Sequence, residues 1–118
     1  MNQIFMNENS YSLRDIVLVS LPFVEINIQK TRPAIILSLL SHDAYLVVYI
    51  TSRKSIEKNN YEIKIIPSKT NGLSYESYVR INRVAVISGS VMFKKVGVLG
   101  EKEAKQVKAK ILLLSEDF

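Results

Sequence analysis

The sequence of 118 residues contains no cysteine and no tryptophan, and it holds one histidine, four glycines and three prolines. The absence of cysteine excludes disulfide bonds, thiolate metal sites and a cysteine nucleophile, and it fits a reducing cytoplasm, where we expect the protein to act. A single histidine, His42, leaves no histidine pair for acid–base catalysis. No apolar run reaches membrane-spanning length, and residues 1–10 lack the pattern of a signal peptide, so we expect no membrane partner.

Motifs that would hold a cofactor are also missing. The chain has no glycine-rich phosphate loop, no nucleophile elbow, and no group of histidines and carboxylates at metal-ligand spacing. We therefore expect neither a metal ion nor an organic cofactor. Sixteen Lys and Arg residues against eleven Asp and Glu give a net charge of +5, which weakly favours a polyanionic partner.

The composition, with 47% hydrophobic and 23% charged residues, is typical of a globular protein. We expect a flexible lead-in at residues 1–13, followed by a single domain at residues 14–118. Apolar, β-branched runs predict six strands, at residues 15–21, 33–39, 44–51, 61–66, 78–87 and 91–99. Pro22 is expected to end the first strand, and residues 23–31 to form a loop.

From Glu101 the apolar period changes from that of a strand to that of a helix. Ala104, Val107, Ile111 and Leu114 recur at helical spacing, which predicts a C-terminal amphipathic helix. Many short strands followed by one helix indicate a small, strongly bent β-barrel or a sandwich, with the helix packed on it.

Cations and hydroxyls stand at or within the predicted strands. Arg32-Pro33 begins one strand, residues 51–53 (Thr-Ser-Arg) end the next, and Arg80 and Asn82 lie within a third. If the first two of these strands pair through a turn at residues 41–44, Pro33 and Thr51 fall at the same end and Arg32 can share a pocket with Thr51. In the alternative interpretation, Arg32 is an ordinary surface residue, and Thr51 and Ser52 only bond to turn backbone.

Six motifs follow one another along the chain in a fixed order. They are residues 15–19 followed by Pro22-Phe23, then residues 32–38, 49–52, 72–73, 77–82 and 94–99. In this order and spacing they resemble the MazF/PemK family of toxin endoribonucleases from type II toxin–antitoxin systems, from about residue 14 onward.

The resemblance implies a mainly β fold, a small SH3-like barrel of strongly bent antiparallel strands with a C-terminal α-helix. It also implies a homodimer and a sequence-specific, metal-independent endoribonuclease that cleaves single-stranded RNA and arrests growth. A cognate antitoxin is expected to place an extended acidic segment in the RNA groove.

Carried over by position, the family's catalytic residues fall on Arg32, Thr51 and Arg80. Fixed guanidinium groups suit the negative charge that develops on phosphorus during cleavage, and a threonine hydroxyl can donate to a phosphate oxygen. The residues expected to bind the substrate are Glu25, Lys30, Thr31, Ser52, Arg53 and Asn82.

Two positions and the loop at residues 24–30 depart from the family pattern, since the family's loop often carries a glycine and this one has none. Arg14 stands where the family usually has a glycine, and Asn82 stands where PemK-like members place an aspartate. Asparagine cannot accept a proton as a base at neutral pH. Either Glu25 supplies the base, or catalysis relies on positioning and charge alone, or activity is weak.

Two other functions stay open at this point. A catalytically impaired barrel could bind RNA or an antitoxin peptide without cutting, which Asn82 motivates. A gyrase-poisoning toxin is the third possibility, and the pairing of Arg32 with Thr51 argues against it.

Overall fold

The structure, a computed structural model, describes residues 11–23, 28–54 and 61–116. Within these residues the chain forms six β-strands and one α-helix. The strands are β1 (Asp15–Phe23), β2 (Ile28–Ser41), β3 (Ala44–Thr51), β4 (Glu62–Ile65), β5 (Ser77–Ser88) and β6 (Met92–Val98), and the helix is α1 (Glu101–Ser115). A short 3-10 turn at Gly89–Val91 leads into β6.

All six strands belong to one antiparallel sheet in the order β4-β5-β3-β2-β1-β6. The register shifts within the β1–β6, β2–β3 and β3–β5 pairs, and such bulges bend and twist a sheet. The expected fold of bent antiparallel strands with a C-terminal helix is confirmed. In the described part of the chain, β4 and β6 are the two edges and do not pair, so the sheet is not closed by strand pairing.

A turn at residues 68–72, rather than a strand, joins the two edges of the sheet. The Val98 amide donates to the Thr70 carbonyl at 2.9 Å. Gly72 adopts φ 67°, and a Cβ built on Gly97 would lie 2.4 Å from the Asn71 carbonyl oxygen. Both glycines are therefore required where this turn meets β6.

The buried amide of Asn71 holds this turn together. Its Oδ1 accepts hydrogen bonds from the Ser68 and Leu73 amides, each at 3.0 Å, and its Nδ2 donates to the Ile66 carbonyl at 2.9 Å. A buried amide with its donor and acceptor both satisfied fixes the backbone around it. We call residues 68–72 the seam turn.

Apolar side chains cover both faces of the central strands. On β2, Ile35 joins the cluster that packs against Val107 of α1, while Ala34 and Ile36 join a second cluster. Since neighbouring strand residues point to opposite faces, the two clusters lie on opposite sides of the sheet. The middle of β2 is therefore buried on both faces.

The predicted end of β1 was wrong. β1 continues through Pro22 to Phe23, and β2 begins at Ile28, so residues 28–31 form strand rather than loop. β6 pairs with β1 only as far as Val19, so beyond that residue β1 has one neighbour, β2. Proline lacks a backbone N–H donor, and a strand edge without a neighbouring strand does not need that donor for pairing.

Arg14 has a left-handed backbone, with φ 72°. Its amide donates to the Ile36 carbonyl at 2.9 Å, and its carbonyl accepts from the Leu99 amide at 2.8 Å. These two hydrogen bonds hold Arg14 in a backbone conformation that favours glycine. Glycine is also the residue that the resemblance to the MazF/PemK family leads us to expect here.

Helix α1 packs on the first cluster through the predicted face, with Val107 buried and Ala104 and Ile111 beside it. Leu114, predicted for the same face, remains partly exposed near the helix end. Among the described helices, none combines the length and apolarity needed to cross a bilayer.

Candidate functional site

One open cleft of about 1210 Å³ lies across the sheet. Its walls are the start of β2, the end of β3, the middle of β5, part of β6, and residues 72–75 after the seam turn. The strands and residues 72–75 thus form one open surface, along which a chain-like ligand can bind.

The cleft brings together the residues that the sequence predicted for the site, as far as they are described. Arg32, Thr51 and Arg80 all line it. So do the predicted substrate-binding residues Lys30, Thr31, Ser52, Arg53 and Asn82. Glu25, the remaining one, lies outside the described residues.

The β2–β3 register explains why Arg32 and Thr51 share this cleft. Ala34 pairs with Tyr49, and continuing the antiparallel register by two residues sets Arg32 opposite Thr51. The hairpin turns between Ser41 and Ala44, as the sequence predicted, and two register shifts between Ile36 and Ser41 bring the strands to this register. Arg80 reaches the same cleft from β5, which pairs with β3 on its other side.

The cleft is strongly cationic. Among the described residues, seven of the chain's sixteen Lys and Arg line it: Lys30, Arg32, Arg53, Arg80, Arg83, Lys94 and Lys95. None of the described residues that line it is acidic. Such a concentration of one charge attracts anions and focuses their approach.

Arg83, Lys94 and Lys95 were missed as site residues. The sequence predicts Lys94 and Lys95 only as members of the last strand. In the fold β6 pairs with β1, where Leu18 lies opposite Lys94. That pairing brings the two lysines to the cleft, and no local signal in the sequence encodes it.

Arg32 is half-buried, and among the described residues no hydrogen-bond acceptor or carboxylate pairs with it. The next residue, Pro33, lies in β2 opposite Leu18. Arg32 itself pairs with Val19, so pairing with β1 fixes the backbone beneath Arg32, while its guanidinium keeps its donors for a ligand.

Thr51 already has one local partner. Its Oγ1 accepts a hydrogen bond from the Arg53 amide at 3.1 Å. The alternative interpretation, in which the Thr51 hydroxyl bonds to turn backbone, is thus correct for the hydroxyl oxygen, which accepts this bond. The same bond orients the side chain, and the hydroxyl hydrogen can still be donated into the cleft.

Arg80 is held from behind by two contacts. Its Nε donates to Glu62 Oε2 at 3.2 Å, and its Nη2 donates to the Arg53 carbonyl at 2.9 Å. Glu62 lies directly across the β4–β5 pair from Arg80 and is not part of the cleft lining. A guanidinium has five N–H donors, so Arg80 keeps others, including both at Nη1, for a ligand.

A second carboxylate supports the other end of the cationic surface. Lys95 Nζ lies 3.3 Å from Asp15 Oδ1, and Asp15 Oδ2 accepts the Ser12 amide at 2.9 Å. The Asp15 side chain is buried, whereas that of Lys95 is half exposed in the cleft. Two cations of the cleft are therefore positioned by carboxylates that stand outside it.

Two tyrosines also line the cleft, in different environments. Tyr49 packs against the second apolar cluster, and burial raises the pKa of its hydroxyl above the usual 10.0, which keeps it a neutral hydrogen-bond donor. Tyr75, on the wall after the seam turn, has its side chain in solvent.

Within the described residues, no group of three or more His, Asp or Glu side chains is arranged to hold a metal ion.

A family model described as PemK-like, MazF-like toxin of type II toxin-antitoxin system matches residues 13–115. The chain therefore belongs to the PemK-like, MazF-like toxin family. None of the curated proteins compared with it gives a match.

Solved structures share the fold. An endoribonuclease in complex with its cognate antitoxin, from a mycobacterial species, superimposes with a TM-score of 0.71 at 11% identity, over 88% of this chain and 93% of that one. The Mycobacterium tuberculosis toxin MazF-mt6 superimposes with a TM-score of 0.66 at 20% identity, over 89% of this chain and 98% of that one. At these identities the likeness establishes a common fold.

Proposed function

We propose that the protein is the toxin of a type II toxin–antitoxin system, and that it arrests growth by cutting single-stranded messenger RNA at short sequence motifs in the cytoplasm. The observation that carries the proposal is the cleft with seven cations and, among the described residues, no acidic one in its lining. Family membership and the endoribonuclease with the same fold support it.

The proposed reaction is transfer of the phosphodiester to the neighbouring 2′-hydroxyl. The 2′-oxygen bonds to phosphorus, the bond from phosphorus to the 5′-oxygen breaks, and the products end in a 2′,3′-cyclic phosphate and a 5′-hydroxyl. The 2′-hydroxyl proton passes to a base, and the leaving oxygen takes a proton from solvent. No metal ion is needed if guanidinium groups carry the charge that builds on phosphorus.

Arg32 and Arg80 are assigned that electrostatic work. Both line the cleft, and a guanidinium presents forked donors that fit two non-bridging phosphate oxygens. Thr51 donates its hydroxyl to the same phosphate. Arginine holds its proton too tightly to serve as a general acid, so we assign it no proton transfer.

The remaining lining residues are assigned to binding the RNA strand. Lys30 and Arg53 attract neighbouring phosphates, and Thr31, Ser52 and Asn82 offer uncharged hydrogen-bonding groups. Asn82 cannot act as the base, because an amide does not take up a proton at neutral pH. We assign that role to Glu25 or, if it lies too far away, to solvent.

The partners proposed are a second copy of the chain and an antitoxin. An acidic, extended antitoxin segment suits the same cationic cleft, and one relative of this fold has been solved with its cognate antitoxin. Sedimentation should show a homodimer, and a monomer at high protein concentration would contradict that part of the proposal.

The test is cleavage of mixed single-stranded RNA by pure protein in excess chelator. Wild type should leave cyclic-phosphate ends, and Arg32→Ala should lower the cleavage rate about 100- to 1000-fold, the range seen when one donor to a developing oxyanion is removed. Lys108→Ala removes one positive charge from the exposed face of α1 and serves as the matched control. Equal rates for folded Arg32→Ala and wild type would overturn the role of Arg32.

A second candidate function has one specific observation in its favour. Asn82 occupies the cleft where PemK-like members carry an acid, so the chain could hold RNA without cutting it. The same assay separates the two functions, because a pure binding protein would shift the RNA in a gel and leave it intact.

A further inference from the structure

Tyr75 is an aromatic residue whose exposure has no explanation in the fold. Its relative exposure is 72%, the highest among the exposed large hydrophobic residues that the structure describes. Tyr11, Tyr45, Tyr49 and Tyr78 are buried or half-buried. Leaving an aromatic ring in water forgoes the free energy of burying it, so a ring kept there suggests a ligand.

The backbone that carries this ring is fixed. On one side, the Leu73 amide donates to Asn71 Oδ1 at 3.0 Å, which ties the wall to the seam turn. On the other side, Ser77 Oγ donates to the Tyr75 carbonyl at 2.8 Å. The neighbouring Glu76 accepts the Tyr78 hydroxyl at 3.0 Å and lies 3.4 Å from Lys64. The ring is thus exposed on a held support.

The surroundings of the ring are those of a polyanion site. Tyr75 lines the same cleft as Arg53, Arg80 and Arg83, and the described lining contains no carboxylate. Cations that bind the phosphates of a nucleic-acid strand make no contact with its bases, which need other partners. Aromatic rings beside a basic groove are the usual partners for unpaired bases, since every base has a π face.

We propose that Tyr75 is a stacking platform for one unpaired base of the RNA strand. This assignment rests on the proposed function, because it names how the same cleft takes its substrate. The ring reads no hydrogen-bonding edge, so it contributes affinity for unpaired nucleotides of any sequence. A base that is paired within a duplex is stacked on both faces and cannot use it.

The test is a binding measurement with an RNA that cannot be cut. A short, single-stranded oligonucleotide with 2′-O-methyl groups lacks the nucleophile, so affinity is measured without turnover. Tyr75→Ala should weaken binding about 5- to 150-fold, which corresponds to the roughly 1–3 kcal/mol of one base–aromatic stack. Tyr75→Phe keeps the ring and should bind within about twofold of wild type, as should the control Tyr61→Ala, at an exposed tyrosine beside α1 and away from the cleft.

Salt dependence distinguishes stacking from charge. Tyr75→Ala should leave the slope of log affinity against log salt unchanged, whereas Arg53→Ala should reduce it by about 0.7 for one lost phosphate contact on a single strand. An oligonucleotide with a single abasic site, moved along the strand, should at one position bind wild type and Tyr75→Ala equally well. That position is the stacked base.

The outcomes are separable from those of the proposed function. If wild type binds the oligonucleotide and Tyr75→Ala binds it equally well, stacking is refuted while the nuclease proposal stands. If Tyr75→Phe loses as much as Tyr75→Ala, the hydroxyl rather than the ring makes the contact, and the proposal is equally refuted. If wild type binds no RNA at all, both proposals fall.

Discussion

Glu62 offers a way to test whether the orientation of Arg80, and not only its charge, matters to catalysis. The Glu62 carboxylate lies 3.2 Å from Arg80 Nε, and the two side chains are 13% and 26% exposed. Glu62→Gln keeps the size and an acceptor oxygen but removes the charge. Glu62→Ala removes the acceptor as well. In both variants the Arg53 carbonyl still binds Arg80 Nη2.

The magnitude follows from the type of bond lost. A hydrogen bond to a charged group in a mostly shielded pair contributes ~1.5–3 kcal/mol, about twice a neutral one. Glu62→Gln therefore weakens the hydrogen bond that orients Arg80 by about 1 kcal/mol. If this loss raises only the free energy of the transition state, kcat falls about fivefold. Glu62→Ala loses the whole bond, and kcat should fall about 10- to 150-fold.

The Michaelis constant should fall or stay unchanged. Either substitution raises the positive charge near the cleft by one unit, which favours RNA binding. Single-turnover and steady-state cleavage at fixed salt give kcat and KM separately. Glu101→Gln is the matched control, since Glu101 pairs with Lys105 on α1 at 3.7 Å and does not line the cleft. An unchanged kcat, or a KM that rises, for folded Glu62→Ala would refute the positioning role.

Two further predictions concern stability and are checked by thermal unfolding. Arg14→Gly should raise Tm by about 2–4 °C, because relief of ~1–2 kcal/mol of left-handed strain exceeds the ~0.4–1 kcal/mol by which glycine favours the unfolded chain. A lower Tm would show that φ 72° carries no strain. Gly97→Ala should lower stability by about 1–3 kcal/mol, because its Cβ would meet the Asn71 backbone. Gly100→Ala, whose Cβ would meet only the flexible end of Glu103, should cost much less, and equal losses would contradict the steric account.

The sequence pattern predicted the strands because each strand has an apolar, β-branched run. It also predicted that Arg32 and Thr51 meet, because a short turn joins the two strands that carry them. The hairpin at residues 41–44 pairs β2 with β3 and so brings Arg32 and Thr51 to the same end of the pair, whereas two register shifts between Ile36 and Ser41 set their final alignment. The end of β1 could not be predicted in the same way. Whether Pro22 ends the strand depends on whether β6 reaches that far, and β6 lies about seventy residues later in the chain.

The rest of the candidate site depends on pairings between distant strands. Glu62 contacts Arg80 because β4 pairs with β5 across a long connection, and nothing near Glu62 in the sequence distinguishes it from other surface acids. Lys94 and Lys95 reach the cleft because β6 crosses to β1. The resemblance assigned roles to Arg32, Thr51 and Arg80, whereas the carboxylate behind Arg80 and the position of Lys94 and Lys95 in the cleft came only from the fold.

The seam turn joins stability to function in this chain. Through the bond from Val98 to Thr70 it holds the open edges of the sheet together, and through Asn71 it fixes the start of the wall that carries Tyr75. Arg80 and Arg83 of β5 line the same cleft as this wall. The spacing between the aromatic ring and Arg80 is therefore set by the same contacts that close the fold. A substitution that loosens the seam, such as Gly97→Ala, should reduce affinity for RNA even though Gly97 itself does not line the cleft.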